Sequence, residues 1–163
     1  MKISIISVGK KHSVDLVDAI KVYEKRLKPQ HDLTWQIVAP SIGETLQQKT
    51  QESDKIMSLL KSNDFVVLLD ESGKIYDNQQ LAEVFGKASI EHGCNRLIFI
   101  IGGAYGVSQN LKSRANAIWS LSKLVFPHQI VRLILMEQIY RTIMILQNHP
   151  YHHQSKTTLV SSG

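Results

Sequence analysis

The stretch FPHQIVRLILMEQIYR at 126–141 carries His128, Arg132, Glu137 and Arg141 on an otherwise apolar background. Ile130, Val131, Leu133, Ile134, Met136, Ile139, Ile143 and Met144 cover every face of a helix predicted over 127–146, so the segment must be widely buried. Charges on a deeply packed helix are costly unless paired or turned to a polar cavity. At helical spacing His128 and Arg132 share one side and Glu137 and Arg141 another, and the second couple also has ion-pair spacing. A structural pair, a reaction site or a subunit interface would each account for them. Beyond the helix, NHPYHH adds Tyr151 and His152, an aromatic and imidazole cluster suited to stacking on, or hydrogen-bonding, an RNA base. His149, His152 and His153 have no acidic or cysteine partner at ligand spacing, and Pro150 interrupts a helical pair, so no metal site is expected.

Three other segments have unusual composition: LDESGK from Leu69, IGGAYG with Gly102 and Gly103, and LSKLVFPH from Leu121. GGAYG lacks the spacing of a dinucleotide fingerprint, and no phosphate loop is present. Its glycines can serve a tight turn, or let a flat ring lie against bare backbone. Leu121–Phe126 precedes Pro127, which suits a first helical turn. An irregular run there leaves backbone N–H and C=O groups in need of partners, which an adenine edge supplies.

The elements needed to position these segments alternate. KISIISVG reads as a strand and SVDLVDAIKVYEKRLK as a helix with Leu16, Val17, Ile20, Tyr23 and Leu27 at helical spacing. LTWQIVAP alternates as a half-buried strand ended by Pro40. Residues 44–62 read as a surface helix with Ile56, Met57, Leu59 and Leu60 at its buried end. FVVLLD at 65–70 is a continuous apolar run, as in a central parallel strand. Asp77 can cap the helix NQQLAEVFGKASIEHG, RLIFIIGG at 96–103 is the next strand, and SQNLKSRA and AIWSLS give a short helix and a weaker strand. The class is therefore α/β, a mostly parallel sheet flanked by helices, and ligands of such sheets gather at the strands' carboxyl ends, where all three unusual segments fall.

With 163 residues, 43% of them hydrophobic, the chain has material for one domain, read as 1–154 with a disordered tail over 155–163. No apolar run reaches membrane-spanning length and no signal peptide opens the chain, which predicts a soluble cytoplasmic protein. Cys94 is the only cysteine, excluding an intrachain disulfide or a cysteine zinc cluster, and beside a strand it reads as packing. A net charge of +5 favours a polyanionic partner without requiring one.

Taken in order, SVGK, LDESGK, FIIGGAYGV, SLSKLVFPHQIVRLILMEQIYR and HPYHH resemble the RlmH family of SPOUT-class methyltransferases, which act on pseudouridine in large-subunit ribosomal RNA. The resemblance runs from Met1 to about His153. It implies a C-terminal trefoil knot, S-adenosyl-L-methionine as cofactor, a homodimer, and 23S rRNA in the ribosome or large subunit as partner, with neither membrane nor metal. It places cofactor binding at Leu69, Gly102, Gly103, Leu121, Ser122, Lys123, Leu124, Val125 and Phe126. His128, Arg132, Glu137, Arg141, Tyr151 and His152 match positions near the substrate uracil or the dimer seam. The family commonly has a basic residue after PYH, where this chain has His153.

The implied chemistry is transfer of a methyl group to N3 of pseudouridine. Arg132 or Arg141 would stabilise the developing uracilate, Glu137, His128 or His152 would position groups or relay the proton, and Tyr151 would stack on the base. The rival readings are a tRNA methyltransferase of the same fold and a non-catalytic ribosome-assembly factor.

Overall fold

The computed structural model describes residues 1–90, 93 and 95–154. The reading of Cys94 as packing and that of 155–163 as a tail lie outside the described residues, as do Glu91 and His92 at the end of one expected helix.

Strands β1 (Lys2–Val8), β2 (Asp32–Val38), β3 (Asp64–Ile75), β4 (Arg96–Ile101) and β5 (Ala117–Ser120) form one parallel sheet in the order β2-β1-β4-β3-β5. Between and after them run α1 (Val14–Leu27), α2 (Thr45–Leu59), α3 (Asn78–Ile90), α4 (Gln109–Arg114), α5 (His128–Leu146) and α6 (Tyr151–Gln154). The apolar runs of the central strands feed both faces. Ile3, Ile5, Val67 and Phe99 pack under α1, α3 and α5, while Ile6, Val8, Val66, Leu68 and Ile100 pack under α2 and α4. A fully buried side chain of this size contributes about 1.5–3 kcal/mol, so the two layers fix the sheet firmly.

Local signals account for several boundaries. The Asp77 carboxylate accepts from the Gln80 N–H at 2.7 Å while the Gln80 side chain accepts from the Asp77 N–H at 3.0 Å, a reciprocal cap ahead of α3. Pro127 flanks α5 as its cap rather than standing inside the first turn. Asn148 turns the chain back in the left-handed region, at φ 55°, and α6 returns toward α5.

Two expectations change. DESGK is not a loop after a six-residue strand: β3 continues to Ile75, with a register shift between Leu69 and Lys74 against Trp119 of β5. Gly73 makes this possible, because a Cβ there would sit 2.6 Å from the Ile118 carbonyl carbon. The polar stretch forming α2 is not wholly a surface helix, since Glu52 and Ser53 are buried beside Ile56, while Met57, Leu59 and Leu60 are only half-buried.

α5 is incompletely covered. Leu135, Met136, Ile139 and Ile143 are sealed against the sheet and α1 and α3, but Ile130 is 41% exposed and Leu133, Ile134 and Ile145 are half-buried.

Candidate active site

A cavity of about 510 Å³ opens at the carboxyl ends of β3, β4 and β5. A larger hollow of about 990 Å³ lies where β1 and β4 begin and holds none of the residues singled out above. Open parallel sheets bind at the carboxyl end, so the smaller cavity is the candidate. Three segments distant in sequence meet in it: Leu69 of β3, Gly102 and Gly103 after β4, and Leu121, Ser122 and Phe126 after β5. Lys123, Leu124 and Val125 do not line it, Leu124 and Val125 being 72% and 88% exposed. Among the described residues, the backbone groups of Lys123, Val125 and Phe126 find no hydrogen-bond partner.

Both uses of the glycines coexist. Gly106 N–H donates to the Gly103 carbonyl at 3.1 Å, closing a tight turn, and the turn's surface forms a cavity wall. The bulged part of β3 adds to the lining next to that turn, where Ser72 donates to Asp70 through both N–H and Oγ and Lys112 Nζ lies 3.8 Å from the Asp70 carboxylate. From behind, α2 supports the loops. Ser53 Oγ accepts from the Ser108 N–H at 2.8 Å, and Glu52 Oε2 accepts from the Ser41 N–H at 2.9 Å. Neither residue announces itself in the sequence, because a polar pair in a polar stretch reads as surface.

Arg132 is completely buried. Its Nη1 donates to the Lys10 carbonyl at 2.8 Å and stands 3.2 Å from His12 Nδ1, and its Nε donates to Ser7 Oγ at 3.2 Å. Gln129 adds to the same join, donating to the Lys11 carbonyl at 3.2 Å and accepting from the Ser13 N–H at 2.9 Å. His128 stands beside the Gly102 backbone. Burial first, then the charge of Arg132, lowers both His12 and His128 from the usual imidazole value, with the Gly102 contact opposing the shift at His128. Arg132 thus faces the loop after β1. Its Nη2 is buried and has no hydrogen-bond partner among the described residues.

Glu137, Arg141, Tyr151 and His152 form a second cluster. Arg141 and Glu137 make the i,i+4 pair at 2.6 Å, and Arg141 Nη1 stands 3.0 Å from His152 Nδ1. The Tyr151 hydroxyl donates to Glu137 Oε1 at 3.3 Å. Arg141 and Arg26 lie 5.1 and 6.0 Å from the centre of the Tyr151 ring, and Tyr140 meets that ring edge-on at 4.7 Å. The ring expected to stack on a base is therefore built into the cluster. Burial chiefly, then the charge of Glu137 and the neighbouring Tyr23, pushes its phenol up to about 12. Arg26 was missed because its aromatic partners come from three helices.

The six residues grouped from sequence thus occupy two places. Val131 lines the cavity, and Arg141 lies ten residues farther along the same helix, about 15 Å at the α-helical rise. Among the described residues no group of three or more His, Cys, Asp or Glu is placed to hold a metal ion, and no helix is long and apolar enough to cross a membrane.

Comparison with known proteins matches residues 1–152 to the family model described as "Predicted SPOUT methyltransferase". A protein of Christiangramia forsetii is 41% identical over 159 residues, covering 94% of this chain and all of the relative. One from Desulforamulus reducens is 42% identical, covering 93% and 99%, and one from Natranaerobius thermophilus is 38% identical, covering 94% and 100%. Each of the three is named "Ribosomal RNA large subunit methyltransferase H".

Proposed function

Because the chain belongs to the SPOUT methyltransferase family, we propose that it methylates N3 of a pseudouridine in 23S rRNA, the position numbered 1915 in that RNA, using S-adenosyl-L-methionine. The observation that carries this reading is the cavity where Leu69, Gly102, Gly103, Leu121, Ser122 and Phe126 converge. Its volume suits a cofactor-sized ligand. The unpaired backbone of Phe126 at the cavity, with that of Lys123 and Val125 just before it in the chain, fits an adenine edge, and the glycine turn fits a flat ring. The knot implied by the resemblance belongs to the same reading, which accounts for three separate segments closing one cavity.

When bound, the cofactor supplies an electrophilic methyl carbon. The protein's task is to align the acceptor nitrogen, and orientation lowers such barriers by roughly 7–11 kcal/mol. N3 must lose its proton before or during attack. Arg141, fixed by Glu137 and beside His152, offers a guanidinium to the developing uracilate, and His152 is placed to relay the proton. Arg132 and His128 hold the loop after β1 against the cavity, a positioning role.

Along α5, Arg141 lies about 15 Å from Val131 at the cavity, and that helix has an uncovered apolar stripe. A homodimer in which α5 packs on its symmetry mate covers the stripe and brings the Arg141 cluster of one protomer toward the cavity of its partner. Light scattering at micromolar concentration tests it, and a stable monomer that still methylates sinks it. The action is cytoplasmic, on ribosomes or large subunits.

Mass spectrometry of rRNA from a deletion strain tests the function itself. Loss of one methyl group on a 23S pseudouridine supports the enzyme. A methyl lost from tRNA instead makes it a tRNA methyltransferase, and an unchanged methyl map leaves a non-catalytic assembly factor.

A further inference from the structure

Two acidic side chains are sealed among the described residues, Asp64 and Glu52. Asp64 is neutralised by Arg96 at 2.6 Å, whereas Glu52, only 5% exposed, has no cation within ion-pair distance among the described residues. A buried carboxylate without a counter-charge is unfavourable, and such a group beside a cavity is a candidate for ligand recognition. One of its oxygens is occupied, Oε2 accepting from the Ser41 N–H. Oε1 has no hydrogen-bond partner among the described residues, yet it is not among the atoms closed off from solvent.

Its position gives this oxygen a target. A Cβ on Gly103 would sit 2.5 Å from Oε1, and Gly103 itself lines the cavity. Glu52 does not itself line the cavity; its oxygen stands directly behind Gly103, with Val8 packed at the same place. The sheet order adds a direction, since the unpaired backbone of Lys123, Val125 and Phe126 follows the edge strand β5, while Gly103 follows β4 two strands inward. An adenine at the β5 side puts the opposite end of the donor, with its sulfonium and α-ammonium charges, at the Glu52 side.

We propose that Glu52 is the counter-charge that recognises the cationic methionyl end of the methyl donor from behind Gly103. The proposal rests on the donor reading given above. It makes Glu52 a specificity determinant, selecting charge in a cavity whose other walls recognise an adenosine by shape and backbone.

Calorimetry on the full chain, wild type and Glu52→Gln, tests it with three ligands: S-adenosylmethionine, S-adenosylhomocysteine and 5′-methylthioadenosine, which keeps the adenosine and carries no charge. Glutamine preserves the shape and the acceptor for Ser41. The variant should bind S-adenosylmethionine about tenfold more weakly or worse, with methylthioadenosine within about twofold of wild type. Loss confined to S-adenosylmethionine places the carboxylate at the sulfonium, loss shared with S-adenosylhomocysteine places it at the ammonium, and both support the proposal. Equal loss for all three ligands, or none, overturns it and leaves Glu52 shaping the Gly103 turn. Wild type decides even without a folded variant, because equal affinity for the neutral ligand and S-adenosylmethionine removes charge recognition. Wild type binding none of the three fails the donor reading itself.

Discussion

Arg132 Nη1 donates to the Lys10 carbonyl at 2.8 Å, joining α5 to the loop after β1 across 122 residues of sequence. With Ser7 and His12 also held, the guanidinium is a structural rivet under the cavity. Arg132→Met should lose about 2–4 kcal/mol of stability, because the Lys10 carbonyl and Ser7 hydroxyl lose their donor in a buried setting. Urea denaturation checks this, and a variant as stable as wild type but unable to methylate would return Arg132 to a direct chemical role.

Partly buried imidazoles, His12 and His128 beside that rivet and His31 at the opposite end of the sheet, predict acid sensitivity. His12, His128 and His31 all have lowered values in the fold, so the unfolded chain takes up their protons first. Their contribution is complete above about pH 6.5 and is lost as pH falls through the folded values. The urea midpoint should therefore drop on acidification below that pH, and His128→Gln should make the drop shallower. A variant with wild-type pH dependence would show that His128 stays exposed to solvent protons.

Tyr151 predicts the alkaline limb. Its phenol is pushed up to about 12, above the unfolded value near 10. The stability it contributes is present below about pH 10 and is lost as pH rises toward 12. Absorbance titration should show that Tyr151→Phe removes one tyrosine ionising near pH 12, and removal of a tyrosine ionising near pH 10 would place the ring in solvent.

Gly103→Ala should disturb the cavity from behind. The new Cβ meets Glu52 Oε1 at 2.5 Å and Val8 Cγ1 at 3.3 Å, so the carboxylate or the turn has to move. A cost of about 1–3 kcal/mol in melting experiments, with weakened donor binding, is the expected result. Wild-type affinity in calorimetry would show that the turn absorbs a methyl group freely.

Arg141→Met should keep donor binding and lose methyl transfer by about 100-fold or more, the size expected for removing a charge stabiliser. Single-turnover methylation of ribosomes, with donor binding measured in parallel, separates the two. Near-normal rates would make the Glu137–Arg141 pair purely structural.

Most elements were legible because their periodicity comes from strictly local choices. Isoleucine and valine runs mark β1 and β4, and the spacing of Leu16, Ile20 and Leu27 marks α1. The extension of β3 was not legible, since DESG has turn composition and becomes strand only because Gly73 lets β5 approach. The cavity-lining residues Leu69, Gly102, Gly103, Leu121, Ser122 and Phe126 came from the family resemblance and meet in one place. The division of the charged residues of α5 was hidden for a different reason. Arg132 finds its partners 122 and 125 residues away, whereas Arg141 finds Glu137 four residues away, and only the second distance is visible in a helical repeat.

The place of β1 in the sheet also sets a schedule for the growing chain. β1 takes β2 on one edge, but its other edge waits for β4, with Lys2 opposite Arg96 and Ser7 opposite Ile101. At ribosomal elongation rates of about 5–20 residues per second, the second neighbour emerges roughly 5–20 s after the first strand. During that interval Ile3, Ile5, Ile6 and Val8 stand beside an open edge, the situation in which nascent strands pair with one another. Ser4 and Ser7, both sealed in the finished protein, interrupt the run and hold it below the apolar density of an aggregating segment. Replacing Ser4 with valine would complete an unbroken apolar run from Ile3 to Ile6 and should raise aggregation during synthesis, which the soluble fraction on expression measures.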